Sequence, residues 1–139
     1  MRNSVLIVSS LTFLIVLSLF SGVVTVVQVS GDSMQPDLQD GDVVVTTTLV
    51  DPEPGDVVVF EDDGDKVIHQ IKAEVDKGEN WEDSLKNVDP ADCEEKEQSH
   101  CSADTAGYLT SGTNTEHLDQ VVGYGIVEDE DVIGVCVTC

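Results

Sequence analysis

The chain has 139 residues, enough for one folded domain. It carries 28 Asp and Glu residues against six Lys and Arg residues, a formal net charge of −22. We expect no nucleic acid partner, because binding phosphates requires a basic patch. Acidic residues spread along most of a sequence are typical of adaptation to high salt, where screening weakens charge repulsion. The alternative is an acidic surface that only keeps a low-salt protein soluble.

The first predicted element is a membrane anchor within residues 1–30. No charged residue occurs from Ser4 to Ser30, and Leu, Ile, Val and Phe fill most of this stretch. About 20 apolar residues span a bilayer as a helix. A cleavable secretory signal is the competing interpretation, but its apolar region is usually only about 7–15 residues long and ends at small residues. We therefore predict a single retained transmembrane helix.

The charges on either side of the apolar stretch predict its orientation. Arg2 precedes the stretch, and Asp32 opens a strongly acidic sequence after it. Basic residues favour the cytoplasmic side of a membrane. We expect the N-terminus in the cytoplasm and a domain of residues 31–139 outside the cell membrane.

Short apolar segments follow, rich in Val and separated by Gly, Pro and Asp. This pattern is typical of β-strands bounded by turns. Strands are predicted at residues 42–49, 56–60, 66–73, 108–110, 121–127 and 132–137. No segment beyond the anchor shows a helical period, so the expected fold class is mainly β.

Residues 74–105 differ from the rest of this domain, since acidic residues dominate and apolar residues are sparse. We predict an acidic insertion outside the core, part loop and part short helix at residues 81–88. Cys93 and Cys101 lie inside it and are the natural disulfide pair, because an extracytoplasmic compartment permits disulfides.

The C-terminus carries two further cysteines in the sequence C-V-T-C. The spacing of Cys136 and Cys139 suits either a small disulfide or half of a zinc site. The separation of the other two cysteines is too wide for a standard zinc knuckle. We predict no metal and no cofactor.

The densest chemical signal lies between Val29 and Val45, where the sequence reads V-S-G-D-S-M-Q-P-D-L-Q-D-G-D-V-V-V. Ser33 stands between Gly-Asp and Met-x-Pro, which places it on a turn where its hydroxyl can project. Most loop serines only make local hydrogen bonds, so this motif needs support from others.

Four motifs in order resemble those of the type I signal peptidases and cover most of residues 31–139. They are the nucleophile motif Ser-x-Ser-Met-x-Pro with a following Gly-Asp strand, a Pro-Gly-Asp strand, the strand that supplies the general base, and a Gly-Asp-Asn box with a later Asp. The matching segments are residues 32–36 with 41–45, 54–60, 67–71, and 109–114 followed by Asp119.

This resemblance implies a membrane-bound serine endopeptidase that removes signal peptides from secretory precursors. Ser33 would be the nucleophile. Archaeal and endoplasmic-reticulum members have His as general base where bacterial members have Lys, so His69 places the chain with the former. Asp119 matches the later Asp and would fix the tautomer of His69. The resemblance also implies contact with membrane lipid and is compatible with an association with the protein translocation machinery.

The position of the nucleophile supports the same function independently. If the span ends near Val29, extended chain geometry keeps Ser33 within roughly 10–15 Å of the membrane surface. A protease held there can reach a cleavage site just outside the apolar segment of another protein.

The chain departs from the family pattern near the last box and at the oxyanion hole. Ser111 and Thr113 stand where Lys and Asp are usual. Gly31 stands where many relatives supply a hydroxyl, so a second oxyanion donor beside the Ser33 N–H stays unassigned. His100 and His117 have no motif support and are expected at the surface.

Two alternatives stay open. Self-cleaving repressors of the LexA type share the Gly-Asp-Ser-Met turn and the following Asp-Gly-Asp, but they use Lys as base and are soluble. The other alternative is an inactive membrane-anchored binding module of the same fold.

Overall fold

The structure, a computed structural model, describes residues 22–81, 101–115 and 117–139. Within these ranges the strands are Val24–Gln28 (β1), Val43–Thr47 (β2), Val57–Asp62 (β3), Asp65–Val75 (β4), Gly107–Ser111 (β5) and Val132–Cys136 (β6). A single-turn helix, Asp119–Val122 (α1), and a 3-10 turn, Asp129–Asp131, lie between β5 and β6. The prediction of a mainly β fold is confirmed.

The six strands form one sheet in the order β1-β2-β6-β3-β4-β5, and every neighbouring pair is antiparallel. β6 inserts between β2 and β3, so the end of the described chain closes the middle of the sheet. β3 is central, and Val58, Val59 and Phe60 are at most 1% exposed. Three consecutive buried residues show that both faces of this strand are covered.

Five predicted strands overlap β2 to β6, whereas the strand predicted at residues 121–127 is wrong. Residues 119–122 form α1 instead, and only Val127 makes an isolated bridge, to Tyr108. Gly123 ends the helix with φ of 118°, a conformation that glycine adopts without steric cost. Leu118 is 6% exposed and Val121 packs beside it, so tertiary packing overrides the strand preference of the valines.

Strand β1 lies inside the segment predicted as an anchor. Residues 1–21, which hold most of that predicted helix, lie outside the described residues. Val24–Gln28 pair with β2 in antiparallel register and belong to the sheet, so the domain begins before residue 30. An uncharged apolar run is compatible with either a strand or a membrane helix, which explains the difference. No helix within residues 22–81, 101–115 and 117–139 is long and apolar enough to cross a membrane.

The ends of the predicted acidic insertion belong to the core, contrary to expectation. The Trp81 N–H donates to the Cys101 carbonyl at 3.0 Å. Trp81, Cys101 and Ala103 are at most 7% exposed and pack with Val75. The remainder of the insertion, including most of the predicted helix at 81–88, lies outside the described residues.

The cysteines are disulfide-bonded as far as the structure describes them. Cys136 and Cys139 pair with each other, which favours the disulfide interpretation over half a zinc site. Cys101 is also disulfide-bonded, and its predicted partner Cys93 lies outside the described residues.

Candidate active site

Ser33 lies on a tight turn between β1 and β2. Met34, the next residue, is 1% exposed and packs with Val29, Leu38 and Val44. The Leu38 N–H donates to the Met34 carbonyl at 2.9 Å, which closes the turn. The buried methionine anchors the turn to the core, while Ser33 itself stays partly exposed.

The loop after β5 holds the turn from the other side. The Asn114 N–H donates to the Ser33 carbonyl at 2.8 Å, and the Asn114 side-chain amide donates to the Asp32 carbonyl at 3.1 Å. A Cβ on Gly112 would lie 2.3 Å from the Ser33 carbonyl oxygen, so only glycine fits there. Two distant segments of the sequence therefore fix the backbone of Ser33 together.

His69 lies on β4, directly opposite Val58 of the central strand. The side chain is largely buried, and the whole residue is 8% exposed. Its Nε2 lies 3.0 Å from Ser33 Oγ, within hydrogen-bonding distance. Because β4 is paired with β3, the backbone that carries the imidazole ring is held in place by the sheet.

Asp119 opens helix α1 and is 3% exposed. Its Oδ2 lies 2.6 Å from His69 Nδ1 and also accepts a hydrogen bond from Thr110 Oγ1 at 2.7 Å. The structure thus brings all three predicted site residues, Ser33, His69 and Asp119, into one hydrogen-bonded chain.

The arrangement of donors and acceptors defines the chemistry that the site can perform. A carboxylate only accepts hydrogen bonds, so the ionised Asp119 requires the proton on His69 Nδ1. His69 Nε2 then carries a lone pair and accepts from the Ser33 hydroxyl. This is the polarity required for a histidine that removes a proton from a serine nucleophile.

A cleft of about 560 Å³ opens in front of Ser33. It runs between the end of β1 and the start of β4, and its walls are mainly apolar. Lining residues include Val27, Ser30, Lys66, Val67, Val122 and Tyr124. The cleft therefore gives access to the serine hydroxyl.

No lysine of the described chain forms a hydrogen bond with Ser33. Lys66 lines the cleft, but the Ser33 hydroxyl has its hydrogen bond with His69. Lys72 Nζ donates to the Gln70 side-chain carbonyl at 2.6 Å. His117 is exposed, and His100 lies outside the described residues.

The backbone N–H groups of Gly31 and Ser33 are candidate donors for an oxyanion hole. Gly31 has φ of 95°, and its N–H donates to the Asp40 carboxylate at 2.9 Å. Within the described ranges no group accepts a hydrogen bond from the Ser33 N–H, which leaves it available to an oxyanion. No second donor is assigned.

Sequence reasoning missed the residues that support the site. The sequence pattern includes Thr110, Gly112 and Asn114 only as parts of the last box and does not single out Gln120. Their roles depend on how residues 111–118 fold back toward Ser33, and sequence spacing does not reveal this. The single available signal was the glycine at 112, which often marks a close backbone approach.

Comparison with known families places this geometry in context. The model of the family described as peptidase S24-like matches residues 11–98. The match includes Ser33 and His69, whereas Asp119 lies beyond it. No curated protein matched the sequence. Because the family match covers well over half of the sequence, the chain belongs to the peptidase S24-like family and has a serine-peptidase-type fold.

Proposed function

We propose that the protein is a membrane-anchored serine endopeptidase that removes signal peptides from secretory precursors. The observation that carries this proposal is the hydrogen-bonded chain from Ser33 through His69 to Asp119. Ser33 is the nucleophile, His69 is the general base, and Asp119 orients the imidazole. Membership of a serine peptidase family supports the reaction class.

The reaction begins when His69 Nε2 takes the proton of Ser33 Oγ as this oxygen attacks the scissile carbonyl carbon. Asp119 stabilises the imidazolium that forms. The Ser33 N–H donates to the developing oxyanion. When the intermediate collapses, His69 gives its proton to the leaving amine and an acyl-enzyme remains. A water molecule, deprotonated by His69, then hydrolyses the ester and regenerates Ser33.

Two observations support a location outside the cytoplasm. Disulfides persist mainly in oxidising compartments, and Cys136 and Cys139 are paired. The uncharged run before β1 still has 18 residues from Ser4 to Ser21, close to the length that crosses a bilayer. We propose that this shorter run is the anchor, with its N-terminus in the cytoplasm. The folded domain, and not a loose tether, then sets the height of Ser33 above the membrane.

The test uses the full-length chain in lipid vesicles and concentrated salt. Its substrate is a model secretory precursor with small residues before the scissile bond. We expect cleavage at that bond by the wild type and none by Ser33→Ala, with equal folding by circular dichroism. A serine-directed acylating probe should label the wild type only. A wild type that neither cleaves nor takes up the probe would indicate the inactive binding module.

Self-cleavage of the LexA type is the second candidate, and the S24-like family match favours it. The hydrogen bonds of the site oppose it, because the Ser33 hydroxyl is hydrogen-bonded to His69 and Lys72 is hydrogen-bonded to Gln70. Incubation of the purified chain alone, followed by mass spectrometry, tests self-cleavage. Loss of cleavage in Lys66→Met or Lys72→Met, with activity kept in His69→Gln, would establish a serine–lysine mechanism.

The pH profile separates the two candidates further. Protonated His69 cannot accept the proton of Ser33, so cleavage should fall as the pH is lowered. Precursor cleavage is measured over the acid range in concentrated salt, because unfolding of so acidic a chain at low salt would mimic loss of catalysis. An acid limb that survives unchanged in His69→Gln would exclude His69 as the base.

A further inference from the structure

The carboxylate of Asp119 has a second hydrogen-bond partner, Thr110. This residue lies on β5, is 0% exposed, and donates from Oγ1 to the same Asp119 oxygen that contacts His69. β5 pairs with β4 at Ile71 opposite Thr110, two residues along β4 from His69. The imidazole and the threonine hydroxyl are therefore fixed by neighbouring strands of one sheet.

Asp119 lacks such a rigid support of its own. Helix α1 has four residues, and a single helical turn is unstable without tertiary contacts. Its N-cap residue Leu118 makes no side-chain capping bond. The position of the carboxylate must therefore depend on groups outside the helix.

The direction of the Thr110 hydroxyl follows from its neighbours. The Thr110 N–H donates to Gln120 Oε1 at 3.1 Å, which sets the orientation of the Gln120 amide. Gln120 Nε2 then donates to the Gly125 carbonyl at 2.9 Å and, more weakly, to Thr110 Oγ1 at 3.4 Å. Since an amide N–H only donates, the threonine oxygen accepts there, and its own proton points to Asp119.

We propose that Thr110 is a positioning residue for the reaction, holding the carboxylate of Asp119 against His69 Nδ1. This inference rests on the proposed function of the site. Without the hydroxyl, the Asp119 side chain loses its hydrogen bond to β5, and the carboxylate that keeps His69 Nε2 directed at Ser33 is held less firmly. The reacting geometry then forms in a smaller fraction of molecules, although the cleft for the substrate is unchanged.

The test compares Thr110→Val with Thr110→Ser in the full-length chain in concentrated salt. The substrate is a fluorogenic peptide with small residues before the scissile bond. The free energy of a hydrogen bond to a charged group corresponds to about a tenfold to hundredfold change in rate. We therefore expect kcat to fall by that factor in Thr110→Val while KM stays constant. Thr110→Ser restores the hydroxyl and should restore kcat. The matched control is Thr46→Val, which removes another fully buried threonine hydroxyl, one that donates to the Thr25 carbonyl in β1.

A double-mutant cycle with Asp119→Asn, measured with enzyme in excess, separates positioning from general destabilisation. If Thr110 acts through Asp119, Thr110→Val causes no further loss in the Asp119→Asn background. An equal loss in both backgrounds, a similar loss in Thr46→Val, or full activity in Thr110→Val would overturn the inference. Failure of the proposed function itself is distinguishable, because the wild type would then not cleave, or cleavage would persist in Ser33→Ala.

Discussion

The turn that carries Ser33 and the turn that carries Asp119 are stabilised in different ways. Ser33 is fixed by a buried neighbour, Met34, and by backbone contacts from the loop at Gly112 and Asn114. Asp119 lies on one helical turn that Leu118 and Val121 pack against the core, but its carboxylate is held by side-chain hydrogen bonds to His69 and Thr110. Ser33 is held by apolar packing and backbone contacts, whereas the Asp119 carboxylate is held by polar side chains. Substitutions should therefore affect the two turns differently.

The largest effect is expected when the reacting groups themselves are removed. Ser33→Ala and His69→Gln should each lower precursor cleavage by at least about 10⁴-fold. Neither residue belongs to the apolar core clusters, so thermal unfolding midpoints in concentrated salt should change little. Substantial cleavage in either variant would contradict the role assigned to the residue that this variant lacks.

The next largest effect tests the acid. Asp119→Asn keeps the shape of the side chain but favours the wrong tautomer of His69, so cleavage should fall by up to about 10⁴-fold. Asp76→Asn, an exposed carboxylate beyond β4, is the matched control and should behave as the wild type. If Asp119→Asn were fully active, the site would be a serine–histidine pair without a carboxylate.

A smaller effect is expected from the loop that supports the nucleophile. In Gly112→Ala the new methyl group would overlap the Ser33 carbonyl, so the turn must shift. A displacement of about 1 Å at a reacting group can cost about 10²-fold in rate. Gly125→Ala is the control, because a Cβ there meets nothing within 4 Å. Equal rates in the two variants would show that the close contact at Gly112 has no role in holding Ser33.

The difference between the Ser33 turn and the Asp119 turn also explains how much of the molecule could be predicted from the sequence. Strands β2 to β6 follow from short apolar runs between turn residues, and the Ser33 turn lies within one contiguous motif. β1 was hidden because an uncharged run also fits a membrane helix. Helix α1 was not predicted because Val121 and Val122 favour a strand. The packing of Val121 and Leu118 in the core, with Gly123 as the terminating residue, selects the helical turn. The hydrogen bond from the Thr110 hydroxyl to Asp119 forms only when that turn folds, so no spacing rule could predict it.

The smallest effect concerns Tyr108, which ties the segment after α1 to β5. Its backbone exchanges two hydrogen bonds with Val127, and its hydroxyl donates to the Asp129 carboxylate at 2.6 Å. Burial raises the pKa of Tyr108, and the hydrogen bond to Asp129 and the charge of that carboxylate raise it further. A group whose pKa is raised on folding stabilises the fold fully below its unfolded-state value, about 10 for tyrosine. This contribution is lost as the pH rises from there through the folded-state pKa.

Tyr108→Phe should therefore reduce the free energy of unfolding by about 1 kcal/mol near neutral pH, because one hydrogen bond is removed. The difference should shrink at alkaline pH, since only the wild type has the ionisable group. Urea unfolding at about pH 8 and about pH 11, on either side of the ordinary tyrosine value, measures this change. Cleavage at neutral pH should be unaffected, because Tyr108 contacts neither Asp119 nor Thr110 through its hydroxyl. A large loss of cleavage would show that the acid turn depends on the whole segment up to Asp129, and not on its side-chain hydrogen bonds to β5.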